Sequence, residues 1–171
     1  MAGGSIEAVG QVSDAELAIC DVVIDAGGAM AAPGLIDSHV HITFGDYTPR
    51  QRTVGYLESY THGGVTTAIS ASEVHTPGRP KDPQGVKALA VAALRSFETY
   101  RPGGMRVHAG SVILEPGLTN EDFAELARNG VWLAKAGFGA FADPSEYAPY
   151  VATGAYPHLT LAQTLPRTRL S

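Results

Sequence analysis

Residues 33–46 read PGLIDSHVHITFGD. A proline and a glycine set off a strand-like run from Leu35 to Ile42. Within it His39 and His41 lie two residues apart. Side chains alternate along a strand with period two, so both imidazoles project from one face. Neutral imidazoles suit zinc, iron or nickel, but two ligands are too few for a stable site. Read on spacing alone, the pair is either part of a metal site or two polar residues on a half-exposed strand.

Outward from this run the chain repeats a strand–helix rhythm. Residues 49–62 begin with a proline and end before Gly63-Gly64, the punctuation of a helix. Val65–Ser70 is β-branched and apolar, hence a strand. A Pro/Gly-rich loop follows, and then residues 85–100 carry Val86, Leu89, Ala90, Ala93, Leu94 and Phe97 at helical spacing. Residues 105–114 read as a third strand. Thr119-Asn120-Glu121-Asp122 is a capping-box pattern that opens a helix ending at Asn129-Gly130. Residues 131–136 read as a fourth strand, and Asp143-Pro144 as the start of another helix. Before Pro33, residues 5–9 and 19–25 look like short strands. The expected organisation is an N-terminal β segment (1–32), a run of about four βα units (33–151) and an irregular tail (152–171).

Strands alternating with helices imply a parallel sheet covered by helices. An open doubly wound sheet and a (β/α)8 barrel both fit. No GxGxxG or GxxxxGK[ST] loop follows any strand, which favours the barrel. A whole barrel takes about 250 residues, so 171 residues supply part of one. Hydrophobic residues make up 44 % and charged residues 17 %, which excludes a disordered chain. The formal net charge of -5, with no basic cluster, excludes nucleic acid and anionic membrane as expected partners. The single cysteine, Cys20, is expected as a small buried apolar residue. The N-terminus lacks a secretion signal and no stretch reaches the roughly 18 apolar residues of a membrane span. The expected location is therefore the cytoplasm.

PGLIDSHVH resembles the metal-binding signature that ends the first barrel strand in the amidohydrolase superfamily. The likeness extends through HGGVTTAIS (62–70), HTPGRPKD (75–82), KALA (87–90), GLTNEDF (117–123) and GVWLAKAGFG (130–139). Together these are most similar to the enamidase branch, whose members hydrolyse a cyclic enamide in nicotinate fermentation. The resemblance implies a partial (β/α)8 barrel preceded by part of a composite β-sandwich. It also implies a small cyclic amide as substrate and two divalent metals, zinc or iron, in the complete enzyme. A hydroxide bridging them would attack the amide carbonyl.

Lys135 lies in an apolar strand, VWLAKAGF. Its own surroundings allow an edge residue reaching water, a buried ion-paired amine or a metal-bridging carbamate. The resemblance implies the last, because a bridging carboxylate is expected on this strand: a carboxylated lysine in many members, a glutamate in enamidase. AGFG (136–139) is similar to the family's short glycine motif and puts Lys135 at that position. The expected metal ligands are thus His39, His41 and Lys135. His75, Arg79 and Lys81, on the loop after the second strand, are candidates for binding a substrate carboxylate, with Arg79 suited by its planar fork. The alternative is a surface loop shaped by its prolines. His62 is expected at a helix C-terminus, His108 and Trp132 in the core, and Glu73 has only its place at a strand end to recommend it.

The family pattern fades after Val151. Residues 152–171 carry two prolines and no clear strand period, and Pro157 weakens any strand around His158. The expectation is a tail produced by a shifted reading frame or an early stop. A chain so shortened would lack the family's aspartate proton shuttle, would have negligible activity alone, and would self-associate through its open barrel edge. The alternatives are a non-catalytic remnant or interaction module, and a dihydroorotase-like or imidazolonepropionase-like ring-opening hydrolase.

Overall fold

A computed structural model of the chain describes residues 3–42, 51–72, 78–137, 141–154 and 160–163. It divides into two compact units, Met1–Pro33 and Gly34–Ser171.

In the first unit the regular element is a single helical turn, α1 (Asp14–Leu17). Ser13 accepts from the Glu16 amide, and the Glu16 carboxylate accepts from the Ser13 amide, a reciprocal cap. The strands expected at 5–9 and 19–25 do not form. Ser5 makes an isolated bridge, and among the described residues no strand precedes Leu35. A strand is stabilised by its cross-strand neighbours, and the apolar residues here stay in water, with Val9 92 % and Ile24 85 % exposed. Their alternation marks a face that would need a cover. Cys20 is likewise exposed rather than buried, its Sγ 3.3 Å from the Glu16 carbonyl.

The second unit is α/β with parallel strands. In chain order it contains β1 (Leu35–Val40), α2 (Gln51–His62), β2 (Val65–Ser70), α3 (Pro83–Phe97), β3 (Arg106–His108), β4 (Ser111–Ile113), α4 (Asn120–Arg128), β5 (Leu133–Ala136), α5 (Ala148–Gly154) and β6 (Thr160–Gln163). Strand order is β1-β2-β3 in one sheet and β4-β5-β6 in the other, all pairs parallel. Parallel neighbours joined through helices are the repeat of an α/β barrel, and this unit has the architecture of part of one.

Helix α3 begins two residues before the expected Gly85, and α4 begins at its expected capping box. Asp82 accepts from the Gly85 amide with Pro83 at the first helical position, and Thr119 and Asp122 form a reciprocal box at the start of α4. His62 closes α2, where the helix dipole favours it. Asp143-Pro144 opens a short 3-10 turn, Pro144–Tyr147, that leads into α5. Helix and sheet faces meet in two apolar clusters. One gathers Val86, Ala90, Val112, Leu114, Phe123 and Leu126; the other gathers Val40, Leu57, Ala68, Phe97, Met105 and Val107. His108 is half-buried against the edge of Trp132, ring centroids 5.3 Å apart.

Two departures from the sequence reading have local causes. The expected strand 105–114 is split into β3 and β4 by Ala109-Gly110. Gly110 has φ +94°, and a Cβ there would lie 2.9 Å from Leu94 Cβ and 3.0 Å from the Ala90 carbonyl oxygen. Helix α3 packs directly on this break, and only glycine allows both the approach and the backbone angle. The second departure is β6, in the tail read as irregular. Thr160–Gln163 lies in parallel register beside β5, Leu133 opposite Thr160 and Ala136 opposite Gln163. Four residues are too few to show a period; the partner strand, fully buried, supplies the order that composition does not.

Candidate metal centre

His39 and Lys135 are 96 residues apart in sequence and on different sheets, yet Lys135 Nζ lies 3.5 Å from His39 Nε2. The His39 amide donates to Asp37 Oδ1 at 3.0 Å, which steadies the end of β1. The His41 ring stands edge-on to that of His39, centroids 5.3 Å apart at 85°. His41 Nδ1 is 3.3 Å from Ser72 Oγ, and Ser72 is buried just past the end of β2. Three strands therefore contribute to one cluster: β1 and the residue just past it the imidazoles, the turn after β2 a hydroxyl, β5 the amine.

The electrostatics of the cluster follow from its geometry. Lys135 is completely buried (0 % exposed), and desolvation lowers its pKa from the ordinary lysine value. Both imidazoles are also pushed down. For His39 the causes are desolvation, then the Lys135 charge, with Asp37 pulling the other way. For His41 they are desolvation, Lys135 and His39, opposed by a bond with the Ser72 backbone. Burial thus shifts all three groups towards their neutral forms, in which each offers a lone pair. Among the described residues no three His, Cys, Asp or Glu side chains gather as a metal site. His39 and His41 are donors of the kind a divalent cation takes as neutral imidazoles, but two alone are too few to hold one, and Lys135 would join them only as a neutral or modified amine.

The second set of expected residues is placed differently. Arg79 is buried and ion-paired with Glu115, whose side chain is 0 % exposed; its Nη1 also donates to the Pro80 carbonyl at 3.1 Å. Lys81 is exposed. His75, Glu73 and His158 lie outside the described residues. Sequence reasoning missed Glu115 and Ser72. A glutamate closing the apolar run Val112–Leu114 just before Pro116 was a visible signal. Ser72 gave none. Its hydroxyl matters only because β2 lies beside β1.

The second unit is thus a parallel βα array in which a histidine pair at the end of the first strand lies beside a buried lysine on a later strand. No protein-family model matches the chain. Comparison with curated proteins finds the enamidase of Eubacterium barkeri, 52 % identical over 130 residues, covering 75 % of this chain and 34 % of that protein. Imidazolonepropionase of Pseudomonas putida (strain GB-1) is 30 % identical over 157 residues, 85 % of this chain and 37 % of that one. Dihydroorotase of Thermus aquaticus is 28 % identical over 122 residues, 61 % of this chain. Among solved structures, the crystal structure of enamidase, described as a member of the amidohydrolase superfamily, superposes with a TM-score of 0.67 at 46 % identity, over 78 % of this chain and 36 % of that one. The chain belongs to the amidohydrolase superfamily over the portion of the fold that it carries. It resembles enamidase in particular and spans about a third of the length of the curated relatives it matches.

Proposed function

We propose that the chain carries the first part of the active site of a metal-dependent hydrolase that opens the C–N bond of a cyclic amide, as in enamidase. The observation that carries this reading is the contact between Lys135 and His39 across two sheets. In it His39 and His41 hold a divalent cation, zinc or iron, through neutral imidazoles. When bound, such a cation lowers the pKa of a water molecule and polarises an amide carbonyl. Lys135, buried and biased towards the free amine, attacks CO2. The new N–C bond and loss of one proton leave a carbamate with two oxygens and one negative charge. That charge would compensate a bound cation, which is the chemistry a second cation would need. Lys135 departs here from the glutamate expected in enamidase, and bicarbonate dependence is the consequence.

The loop after β2 supplies substrate contacts in this reading, with Arg79 as the residue for a carboxylate and His75 and Lys81 as the further candidates from the same stretch of sequence. The match to imidazolonepropionase over 85 % of the chain favours a second reading in which the ring opened is a different cyclic amide. Turnover of a panel of lactams, imidazolones and cyclic imides by a longer relative separates the two.

The test is metal content after purification in bicarbonate. The proposal expects about two divalent ions per chain, falling to one or fewer without bicarbonate or in Lys135→Ala. His39→Ala or His41→Ala should weaken binding by more than the roughly tenfold that loss of a supporting residue alone causes. A chain that holds one ion or fewer, loosely, even in bicarbonate is a non-catalytic remnant or interaction module.

A further inference from the structure

We propose that Ser72 is a positioning residue: it accepts the Nδ1 proton of His41 and thereby leaves Nε2, with its lone pair, as the nitrogen offered to the cation. This rests on the reading of His41 as a metal ligand given above and adds the group that decides how the ring is presented. Val40 and Ser70 are register partners on the neighbouring strands β1 and β2, and the Ala71 amide donates to the Val40 carbonyl at 2.9 Å. His41 and Ser72 are the next residues along the two segments, so the backbone that brings them together is already hydrogen-bonded. Ser72 is 1 % exposed, and the Ser70 hydroxyl, also buried, donates to the Ser72 carbonyl at 3.3 Å. Ser72 Oγ lies 3.3 Å from His41 Nδ1, and the ring makes a further bond with the Ser72 backbone. His41 itself is exposed, so an ion in solution can reach the ring.

The physical case is the single proton of a neutral imidazole. One ring nitrogen carries it and donates; the other keeps a lone pair that accepts or ligates. Which nitrogen does which is set by the bond that the protonated one makes. At His41 the Nδ1 side is closed by a buried hydroxyl, and a cation could take Nδ1 only by displacing it. Nε2 is the accessible lone pair, so the proton belongs on Nδ1, with Ser72 Oγ as its acceptor. A hydroxyl suits this place because it can accept while its own proton rotates away from the ring. The reverse arrangement, Ser72 donating to Nδ1, would put the proton on Nε2 and block the site. A ring that shares its lone pair with a cation holds its remaining proton less tightly, so the bond to Ser72 strengthens as the ion binds.

The experiment reads the ring directly. Long-range proton–nitrogen correlation NMR of the whole metal-free chain, at a pH where the ring is neutral and with His41→Gln for assignment, shows which nitrogen holds the proton. Competition with a chelator in bicarbonate gives the zinc affinity of the same samples. The wild type should show His41 protonated at Nδ1. Ser72→Ala should lose that preference and bind zinc about tenfold more weakly, the scale for loss of a partner behind a ligating histidine, with an unchanged circular dichroism spectrum. Ser72→Thr, which keeps the hydroxyl, should restore both. A wild-type ring protonated at Nε2 overturns the inference whether or not zinc binds. So does a folded Ser72→Ala that keeps the wild-type tautomer and affinity. Weakening shared equally by Ser72→Ala and Ser72→Thr marks a packing role and also overturns it. A wild-type chain that shows the Nδ1 tautomer but takes up no zinc overturns the metal reading and this inference with it; the intact tautomer separates that failure from the others. Should Ser72→Ala unfold, the wild-type spectrum decides.

Discussion

Lys135 concentrates the tension in this molecule. A lysine with no exposed surface sits beside two imidazoles, where its charged form lacks the solvent that would stabilise it. Because burial lowers its pKa from 10.5, the unfolded chain binds more protons than the folded one between the lowered value and 10.5. Stability therefore rises with pH across that window, and below it the full cost of the buried charge is present. Lys135→Met, similar in volume and without charge, should stabilise the bicarbonate-free chain by about 1–3 kcal/mol near neutral pH and flatten that slope. Urea unfolding of both proteins at neutral and alkaline pH checks it; a variant no more stable than the parent at neutral pH would contradict it. The histidines run in the same direction lower on the scale. Their pKa values are depressed below 6.5, so acidification through that range costs stability and protonates the metal-ligand atoms. Zinc binding should fall steeply there, as dialysis against buffers of decreasing pH would show.

At the scale of elements, what the sequence made legible was whatever local chemistry decides. The capping box at Thr119 announces itself by residue type, and α4 begins beside it, whereas the caps at Ser13 and Asp82 emerge only in the structure. Val65–Ser70 needed only its β-branched run. What could not be read depends on a partner. Gly110 looks like any glycine in a strand until α3 is laid across it, and β6 has no pattern of its own without β5 to set its register. The same division holds at the site. The histidine spacing is local and legible, whereas Glu115 gains meaning only from Arg79, 36 residues earlier. Two substitutions separate these kinds of information. Asp82→Ala removes a cap and should cost about 1 kcal/mol. Gly110→Ala meets both a positive φ and the backbone of α3, and should cost about 2–4 kcal/mol. Denaturant midpoints of the two variants give the comparison. A Gly110→Ala loss no larger than that of Asp82→Ala would mean that α3 yields easily at the break.

For the whole molecule the decisive quantity is the apolar surface left in water. In the second unit β1 is the edge of its sheet, with Leu35 59 % and Ile36 66 % exposed. In the first unit Val9, Ile19, Ile24 and Met30 are each more than four-fifths exposed. Isolated exposed residues are ordinary, but a strand edge combines them with unpaired backbone donors and acceptors, which a second strand can satisfy. The net charge of -5 is modest for a chain of this length and provides only weak repulsion between copies. These features predict concentration-dependent association of the purified chain, with β1 at the contact. Ile36→Lys places a charge on the edge without touching the cluster at His39, His41 and Lys135. Sedimentation velocity should then show a shift towards monomer while zinc content stays unchanged. Two controls keep the prediction specific. Val9→Lys, in the other unit, should leave the association of β1 edges in place, and high salt should strengthen rather than dissolve the contact if burial of apolar surface drives it. A parent chain that remains monomeric across the accessible concentration range would show that β1 is already protected by its own bulge-distorted register with β2 and would remove the basis for a docking edge.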